Sequence, residues 1–354
     1  MKIGDIDKNL AVESKLNLPD AVWFDVKEAP IEVRGLAVCG KGDKFRRMPQ
    51  DIADATNDGV KYLNTNTAGG RIRFRTDSPY IAIKAVMPDN GTMAHITMVG
   101  QSGFDLYRSD AGDYHYAGSF IPGGRNHGYE SQKPTDGKMH TYTINMPLYD
   151  PVEEVYIGLA AGANLEAPEP YKYEQPVLYY GSSITQGGCA SRPGNAYQAM
   201  ISRRLDGDFI NLGFSGSGRA EQVICDYMAS LDPLVFVSDY DHNAPSADYL
   251  EKTHYNLYET FRKAHPDTPY IMVSKPDFHP ENPEDVRRRT IIRESYEKAA
   301  ANGDKHVYFV DGSHIFDGEF ADSCTVDGCH PNDLGFFRMA IVIGEAVEKA
   351  ILEL

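Results

Sequence analysis

The hydrophobic periodicity of this chain changes once, near Gly162, and this change limits the fold more than any other feature. Before it, short runs alternate apolar and polar residues, and turn-forming Gly, Pro, Asn and Asp residues separate them. A period of two is typical of strands with one buried face. The predicted strands are 23–26, 31–34, 71–75, 80–86, 95–99, 114–117, 139–145 and 155–159. We therefore predict an all-β sandwich, jelly-roll-like in form, for residues 1–165.

After the polar, Pro-containing segment 164–170, apolar runs alternate with helical patterns. The predicted strands are 176–180, 209–214, 234–239, 269–274 and 307–311, and the predicted helices are 197–205, 220–231, 247–264, 283–301 and 334–354. Strands that are apolar on both faces, separated by helices, indicate a parallel sheet covered on both sides. We predict a flavodoxin-like three-layer α/β/α domain over residues 172–354, with its active groups on loops beyond the carboxyl ends of the strands.

The charge balance limits the classes of partner that the protein is expected to bind. Lys and Arg number 35 and Asp and Glu number 51, so the formal net charge is −16. This excess repels phosphate backbones and anionic lipids, and we expect no nucleic-acid or membrane partner. The first twenty residues hold acidic groups where a signal peptide needs an apolar stretch, and the five cysteines show no paired spacing. We therefore expect the cysteines to be free thiols in a reducing compartment, and we predict a cytoplasmic protein.

Two segments of the second half could supply nucleophilic chemistry. Ser183 lies in a Gly-Ser-Ser loop directly after the first strand, although the loop alone also fits an ordinary turn. Asp327 and His330 share one tight turn before the last helix. A carboxylate so placed can orient an imidazole as a general base, whereas a helix-capping turn is the simpler interpretation of that segment alone.

Two further loops could supply oxyanion donors. The glycine loop around Gly216 follows the second strand, but its glycines fit neither G-x-G-x-x-G nor G-x-x-x-x-G-K, which disfavours a phosphate or dinucleotide site. Asn243 follows the third strand, where a side-chain amide can serve the same purpose. Asp239, Asp241 and His242 beside it also suggest a metal site. Because H-E-x-x-H and a second histidine cluster are absent, we interpret them as solvated loop charges and predict no metal and no cofactor.

The order of these four segments resembles that of the SGNH, or GDSL-type, hydrolase superfamily. The resemblance implies that Ser183 is the nucleophile and that Asp327 and His330 complete the triad. It also implies an oxyanion hole formed by the Ser183 amide, Gly216 and Asn243. The first block has a serine before the nucleophile where the superfamily usually has Asp, and only Asn243 is recognisable in the third block. The α/β-hydrolase elbow G-x-S-x-G is not matched.

Over a longer stretch, roughly residues 20–354, the chain resembles a narrower subgroup of these hydrolases. That subgroup carries an N-terminal β-domain with a Gly-x-Asp-Leu-Tyr signature, which here runs from Gly103 to Tyr107. Asp105 within it fits a structural or interdomain contact better than substrate binding. Arg192, just past the nucleophile loop, could either clamp a substrate oxygen or pair with a carboxylate. Cys189 and Cys329 flank the site in sequence and are interpreted as packing residues.

The function that this resemblance implies is ester hydrolysis. Two-domain relatives of this kind are often carbohydrate esterases, so we predict a serine esterase that removes short acyl groups, above all acetyl, from carbohydrates through an acyl-enzyme. Its partner would be a small-molecule or oligosaccharide ester, and a homo-oligomer is compatible with the sequence. The alternatives are a short-chain esterase, thioesterase or acyltransferase acting on a small metabolite, or a catalytically inactive carbohydrate-binding protein.

Overall fold

Two antiparallel sheets form the N-terminal half of the computed structural model, which describes residues 16–88, 92–123, 128–277 and 279–354. The strands are β1 (Ala21–Asp25), β2 (Glu32–Arg34), β3 (Arg71–Thr76), β4 (Tyr80–Val86), β5 (Phe104–Asp110), β6 (Asp113–Phe120), β7 (Gly128–Pro134), β8 (His140–Asn145), β9 (Glu154–Ala160) and β10 (Leu165–Glu166). One sheet has the order β1-β9-β4-β7, and the other has the order β10-β3-β8-β5-β6 with β2 beside β3. Apolar residues of both sheets share one buried core, which confirms the predicted sandwich.

One predicted strand of this half is wrong. Residues 95–99 lead into a short helix, α3 (Met98–Ser102), because the Thr97 hydroxyl accepts a hydrogen bond from Gly100 N at 2.9 Å and caps it. A five-residue alternation is too short to outweigh such a local cap. Strands β5 and β7 were missed, and β5 carries the Gly-x-Asp-Leu-Tyr signature. Residues 1–15, on which the signal-peptide argument largely rests, lie outside the described residues.

The second half is a parallel five-stranded sheet between helices. Its elements are β11 (Tyr173–Gly181), α4 (Ser183–Gln186), α5 (Tyr197–Leu205), β12 (Gly207–Gly213), α6 (Gln222–Ser230), β13 (Val235–Asp239), α7 (Ala247–Ala264), β14 (Tyr270–Val273), α8 (Pro283–Ala301), β15 (Val307–Val310) and α9 (Asp333–Leu352). The strand order β12-β11-β13-β14-β15 is the flavodoxin-like order. Helices α5 and α9 cover one face, and α6, α7 and α8 cover the other, so the predicted three-layer domain is confirmed.

The register of the central strand positions the site. Gly181, the last residue of β11, pairs with Gly213 of β12 on one side and with Asp239 of β13 on the other. Three strands therefore end at the same level, and the three loops that follow them begin side by side. Within the described residues, no helix combines the length and the apolar composition that a bilayer crossing would need.

Two short helices of the first half pack against the second half. Helices α1 (Gln50–Thr56) and α2 (Asp58–Leu63) contribute Ala53 and Val60 to the buried cluster that contains Leu178 of β11. Arg47, fully buried just before α1, donates to the carbonyls of Leu63, at 2.6 Å, and Gly213. The boundaries 1–165 and 172–354 stay a prediction, but residues 47–63 pack against the second half of the chain.

Replacing Arg47 tests this contact. We expect Arg47→Ala to lower the free energy of unfolding by about 3–5 kcal/mol, because it removes a buried guanidinium and with it one hydrogen-bond donor to each of the carbonyls of Gly213 and Leu63, of which Leu63 keeps its bond from Asn66 N. The neighbouring Arg46→Ala is the matched control, since Arg46 is partly exposed, and it should cost less than about 1 kcal/mol. Urea unfolding of the two variants measures the difference. Equal losses would contradict a specific role for Arg47.

Candidate active site

Ser183 begins helix α4, immediately beyond the carboxyl end of β11. The preceding residue, Ser182, is buried, and its hydroxyl accepts a hydrogen bond from Ile184 N at 3.1 Å, which caps the helix. The N–H groups of a helix's first turn have no partner inside the helix, so the Ser183 amide can face a ligand. The Ser183 side chain is thus held on a rigid element at the point where the sheet ends.

The structure brings Ser183, His330 and Asp327 together. Ser183 Oγ lies 2.9 Å from His330 Nε2, and His330 Nδ1 lies 2.8 Å from Asp327 Oδ2. The other carboxylate oxygen of Asp327 accepts hydrogen bonds from the backbone amides of Cys329, at 3.1 Å, and His330, at 2.7 Å. All three predicted residues therefore form one continuous chain of hydrogen bonds.

The charge state of Asp327 determines which ring nitrogen of His330 carries the proton. Partial burial opposes its ionisation, but the hydrogen bonds from His330 and Cys329 outweigh burial and lower the pKa of Asp327 to about 2. An ionised carboxylate can only accept, so the imidazole carries its proton on Nδ1 and presents Nε2 to the serine hydroxyl. This is the tautomer that a general base for Ser183 requires.

The loops that carry Gly216 and Asn243 contact each other at the end of β11. Asn243 Nδ2 donates to the carbonyl of Phe214 at 2.7 Å, and Phe214 N donates to Gly181 O at 3.0 Å. Gly216 has a φ of +67°, in the left-handed region that favours glycine, and a Cβ there would meet open space. The two residues predicted as oxyanion donors therefore lie in loops that are hydrogen-bonded to each other and to the end of β11.

The interpretation of the third loop as solvated charge is wrong. Asp239 and Asp241 are fully buried, and the His242 side chain is 10% exposed. Burial, followed by the neighbouring Asp241, raises the pKa of Asp239 to about 8, and the hydroxyl of Thr185 on α4 lies 3.3 Å from its carboxyl group. Asp241 accepts from the backbone amide of Lys275 at 3.0 Å. Acidic residues in a loop are usually exposed, so the sequence offered no sign of this packing.

Arg192 pairs with a carboxylate of the β-domain. Its guanidinium donates to Asp105 Oδ2 at 2.7 Å and to the Tyr107 hydroxyl at 2.6 Å. Asp105 is fully buried and also accepts from Gly194 N at 2.8 Å and from Asn145 Nδ2 at 2.7 Å. The signature Asp is therefore an interdomain contact that holds the loop after the nucleophile. Substrate binding by Arg192 stays a prediction.

The β-domain also borders the site through residues that the sequence did not single out. The His95 ring centroid lies 5.5 Å from that of His330, and the Thr97 hydroxyl donates to Ser191 O at 2.6 Å. The Tyr149 hydroxyl donates to the Ser183 carbonyl at 3.0 Å. No local pattern marks these residues, because their positions depend on how the two halves pack.

Two family models match the chain. The GDSL-like Lipase/Acylhydrolase family matches residues 174–348, and the N-terminus of Esterase_SGNH_hydro-type, the GxDLY model, matches residues 21–165. A solved structure described as a GDSL-like lipase, from Bacteroides ovatus ATCC 8483, is 32% identical, and the match covers 94% of this chain and 98% of that chain with a TM-score of 0.84. No curated protein matches the chain.

Two more distant structures share the fold alone. Salicylyl-acyltransferase SsfX3 from a tetracycline biosynthetic pathway is 19% identical, with 95% of this chain and 98% of that chain covered and a TM-score of 0.77. A family two carbohydrate esterase from Cellvibrio japonicus is 13% identical, with 94% and 98% covered and a TM-score of 0.60. In both cases the similarity extends over both halves of the chain.

Adjacent serines provide a test of the nucleophile. Ser183→Ala should lower kcat/KM for a small activated acetate ester by about 1,000-fold or more while the protein stays folded, because no other hydroxyl contacts His330 among the described residues. Ser182→Ala removes only the helix cap, and we expect a stability loss of about 1 kcal/mol and an activity loss below about tenfold. Steady-state rates and thermal unfolding measure both. Retained activity in Ser183→Ala would exclude this serine as the nucleophile.

The Asp105 contact gives a second prediction. Asp105→Asn removes the charge that Arg192 faces, and we expect the free energy of unfolding to fall by about 2–4 kcal/mol, because a partly buried guanidinium loses its counter-ion. Turnover should fall with it, since the loop beside Ser183 loses its anchor. Asp113→Asn, at an exposed position of β6 in the same sheet, should change stability by less than about 0.5 kcal/mol. Urea unfolding and kcat at saturating ester measure both effects. Wild-type values of both quantities for Asp105→Asn would contradict a role for Asp105 in holding the loop.

Proposed function

The chain belongs to the GDSL-like lipase/acylhydrolase family, and we propose that this ester hydrolase removes short acyl groups, acetyl above all, from carbohydrates through an acyl-enzyme on Ser183. The observation that carries the mechanism is the hydrogen-bonded chain from Ser183 Oγ through His330 to Asp327, at 2.9 Å and 2.8 Å. A hydroxyl, an imidazole in the correct tautomer and an ionised carboxylate are the groups that acyl transfer needs.

In the proposed reaction, His330 Nε2 takes the proton of Ser183 as Oγ attacks the ester carbonyl carbon. The carbonyl oxygen becomes negative and faces the amides of Ser183 and Gly216 and the side-chain amide of Asn243, each donor contributing about 3–4 kcal/mol to the transition state. His330 then protonates the leaving alcohol as the C–O bond breaks. Water repeats the cycle, with His330 again as the base, and releases the acid and free Ser183.

The choice of a carbohydrate alcohol rests on charge, on the shape of the site and on the fold. A net charge of −16 disfavours an anionic substrate such as a phosphorylated metabolite. The β-domain residue His95 is exposed beside His330, so the leaving-group side has a wall that a bulky alcohol can contact. Solved structures with this fold include family two carbohydrate esterases, one of them in complex with cellohexaose. In a cytoplasmic setting, which we also propose, the substrates would be acetylated oligosaccharides that have been imported.

A panel of esters tests the substrate class. We expect kcat/KM to be highest for acetyl and to fall for butyryl and octanoyl esters of one alcohol, because an acyl pocket closed after two carbons offers no burial gain of about 0.8 kcal/mol per methylene. Replacing an oligosaccharide alcohol by a simple alkyl alcohol should lower kcat as well as raise KM, since remote binding energy orients the reacting ester.

The competing functions predict different profiles in the same panel. A maximum at butyryl or octanoyl with no dependence on the sugar would replace the carbohydrate esterase with a general short-chain esterase. Product formation that requires a second alcohol, with little free acid, would instead indicate an acyltransferase. Ser183→Ala assayed in parallel separates these outcomes from hydrolysis at another site.

A further inference from the structure

A second set of thiol, imidazole and carboxylate lies beside the Ser183 triad. Cys329 Sγ is 3.8 Å from His242 Nδ1, and His242 Nε2 is 3.0 Å from Asp277 Oδ1. His242 follows β13, Asp277 follows β14 and Cys329 precedes α9, so all three come from the same edge of the sheet. The proposed ester hydrolysis uses none of these three side chains.

The surroundings of His242 favour its charged form. Burial opposes that charge, but Asp277, Cys329 and Asp241 outweigh burial and raise the pKa of His242 well above its usual value. The side chains of His242 and Asp277 are 10% and 8% exposed. A buried imidazole paired with a carboxylate can hold the proton of a neighbouring thiol as a thiolate–imidazolium pair, which leaves the sulfur nucleophilic.

Cys189 provides a contrast within the same protein. Burial, together with Asp327 and Cys329, raises the pKa of Cys189 to about 12. Its neighbour His330 is already engaged by Ser183 and Asp327. Cys225 and Cys324 are buried, whereas Cys329 is partly exposed. The two thiols that flank the site therefore differ in their exposure to solvent and to reagents, and Cys329 also lies beside the imidazole of His242.

We propose that Cys329, with His242 as its base and Asp277 as the group that orients the base, is a reactive thiol that forms mixed disulfides with low-molecular-weight disulfides. In the reactive form the thiol proton resides on His242, as a thiolate–imidazolium pair, and Sγ attacks one sulfur of the reagent. The S–S bond of the reagent breaks, and its leaving thiolate takes the proton from His242. Cys329 is oxidised to the mixed disulfide, and half of the reagent is reduced to a thiol. Because Cys329 precedes His330, the adduct crowds the base of the ester-hydrolysing triad.

The test follows each cysteine of the intact chain by peptide mass after exposure to oxidised glutathione. We expect Cys329 to be modified at least about tenfold faster than Cys189 in the same sample, because Cys189 is buried and its pKa is raised, whereas Cys329 is partly exposed and lies beside His242. Asp277→Asn should slow the Cys329 adduct by about tenfold and leave the rate at Cys189 unchanged, because the imidazole loses the carboxylate that orients it. Cys329→Ser should show no fast adduct.

Several outcomes would overturn the proposal. Equal rates at Cys329 and Cys189 in the unmutated chain would do so, and this comparison needs no variant to fold. An unchanged Cys329 rate in a folded Asp277→Asn variant would remove the carboxylate from the account. The ligand atoms of His242, Asp277 and Cys329 also lie within 4.8 Å of one another, so a stoichiometric zinc ion that must be chelated before Cys329 reacts would make this a metal site instead.

The adduct measurement does not depend on the ester-hydrolase mechanism. If that mechanism also holds, hydrolysis of an activated acetate ester should fall in proportion to the Cys329 adduct and return when a dithiol reductant removes it. Activity that persists at full adduct occupancy would overturn the crowding of His330 alone, while the mass readout would still report the reactive thiol.

Discussion

The parallel register of β11 between β12 and β13 is the constraint on which the rest of the site depends. Because Gly181 pairs with both Gly213 and Asp239, the loops that carry Ser183, Gly216 and Asn243 start from one line across the sheet. A Cβ at Gly213 would clash with the backbone of α4, so the absence of a side chain lets α4, which Ser183 begins, lie directly over the sheet end. Backbone pairing thus sets the positions that the chemistry uses.

The β-domain contributes residues that border the site and hold one of its loops. Asp105 holds the loop after the nucleophile through Arg192 and Gly194, and His95 lies against the ring of His330. These contacts form between surfaces that each half would otherwise expose to water. The interface therefore stabilises the two halves together and places His95 of the β-domain beside His330.

Two aspartates near the carboxyl end of β13 are fully buried, and their contacts explain how the structure tolerates their burial. Asp239 at the end of β13 and Asp241 in the loop after it are fully buried, and hydrogen bonds from the Thr185 hydroxyl and from Lys275 N partly offset the cost of removing them from water. His242 offsets it further as a cation beside Asp241 and Asp277. His242 also lies beside Cys329. The packing that buries Asp239 and Asp241 therefore also places an imidazole next to the proposed reactive thiol.

The sequence by itself determined the fold class, the bounds of long helices such as 247–264 and 283–301, and the shared turn of Asp327 and His330. Those features depend on periodicity and on turns a few residues long, which local chemistry sets, whereas the grouping of Ser183 with that turn was implied by the resemblance to a family. The structure alone decided that residues 95–99 contain the start of a helix, that Arg47 reaches Gly213, that Arg192 pairs with Asp105 and that His242 faces Cys329. Each of these except the first joins residues more than 80 positions apart, and such contacts depend on how finished elements pack. Local patterns carry no record of that packing.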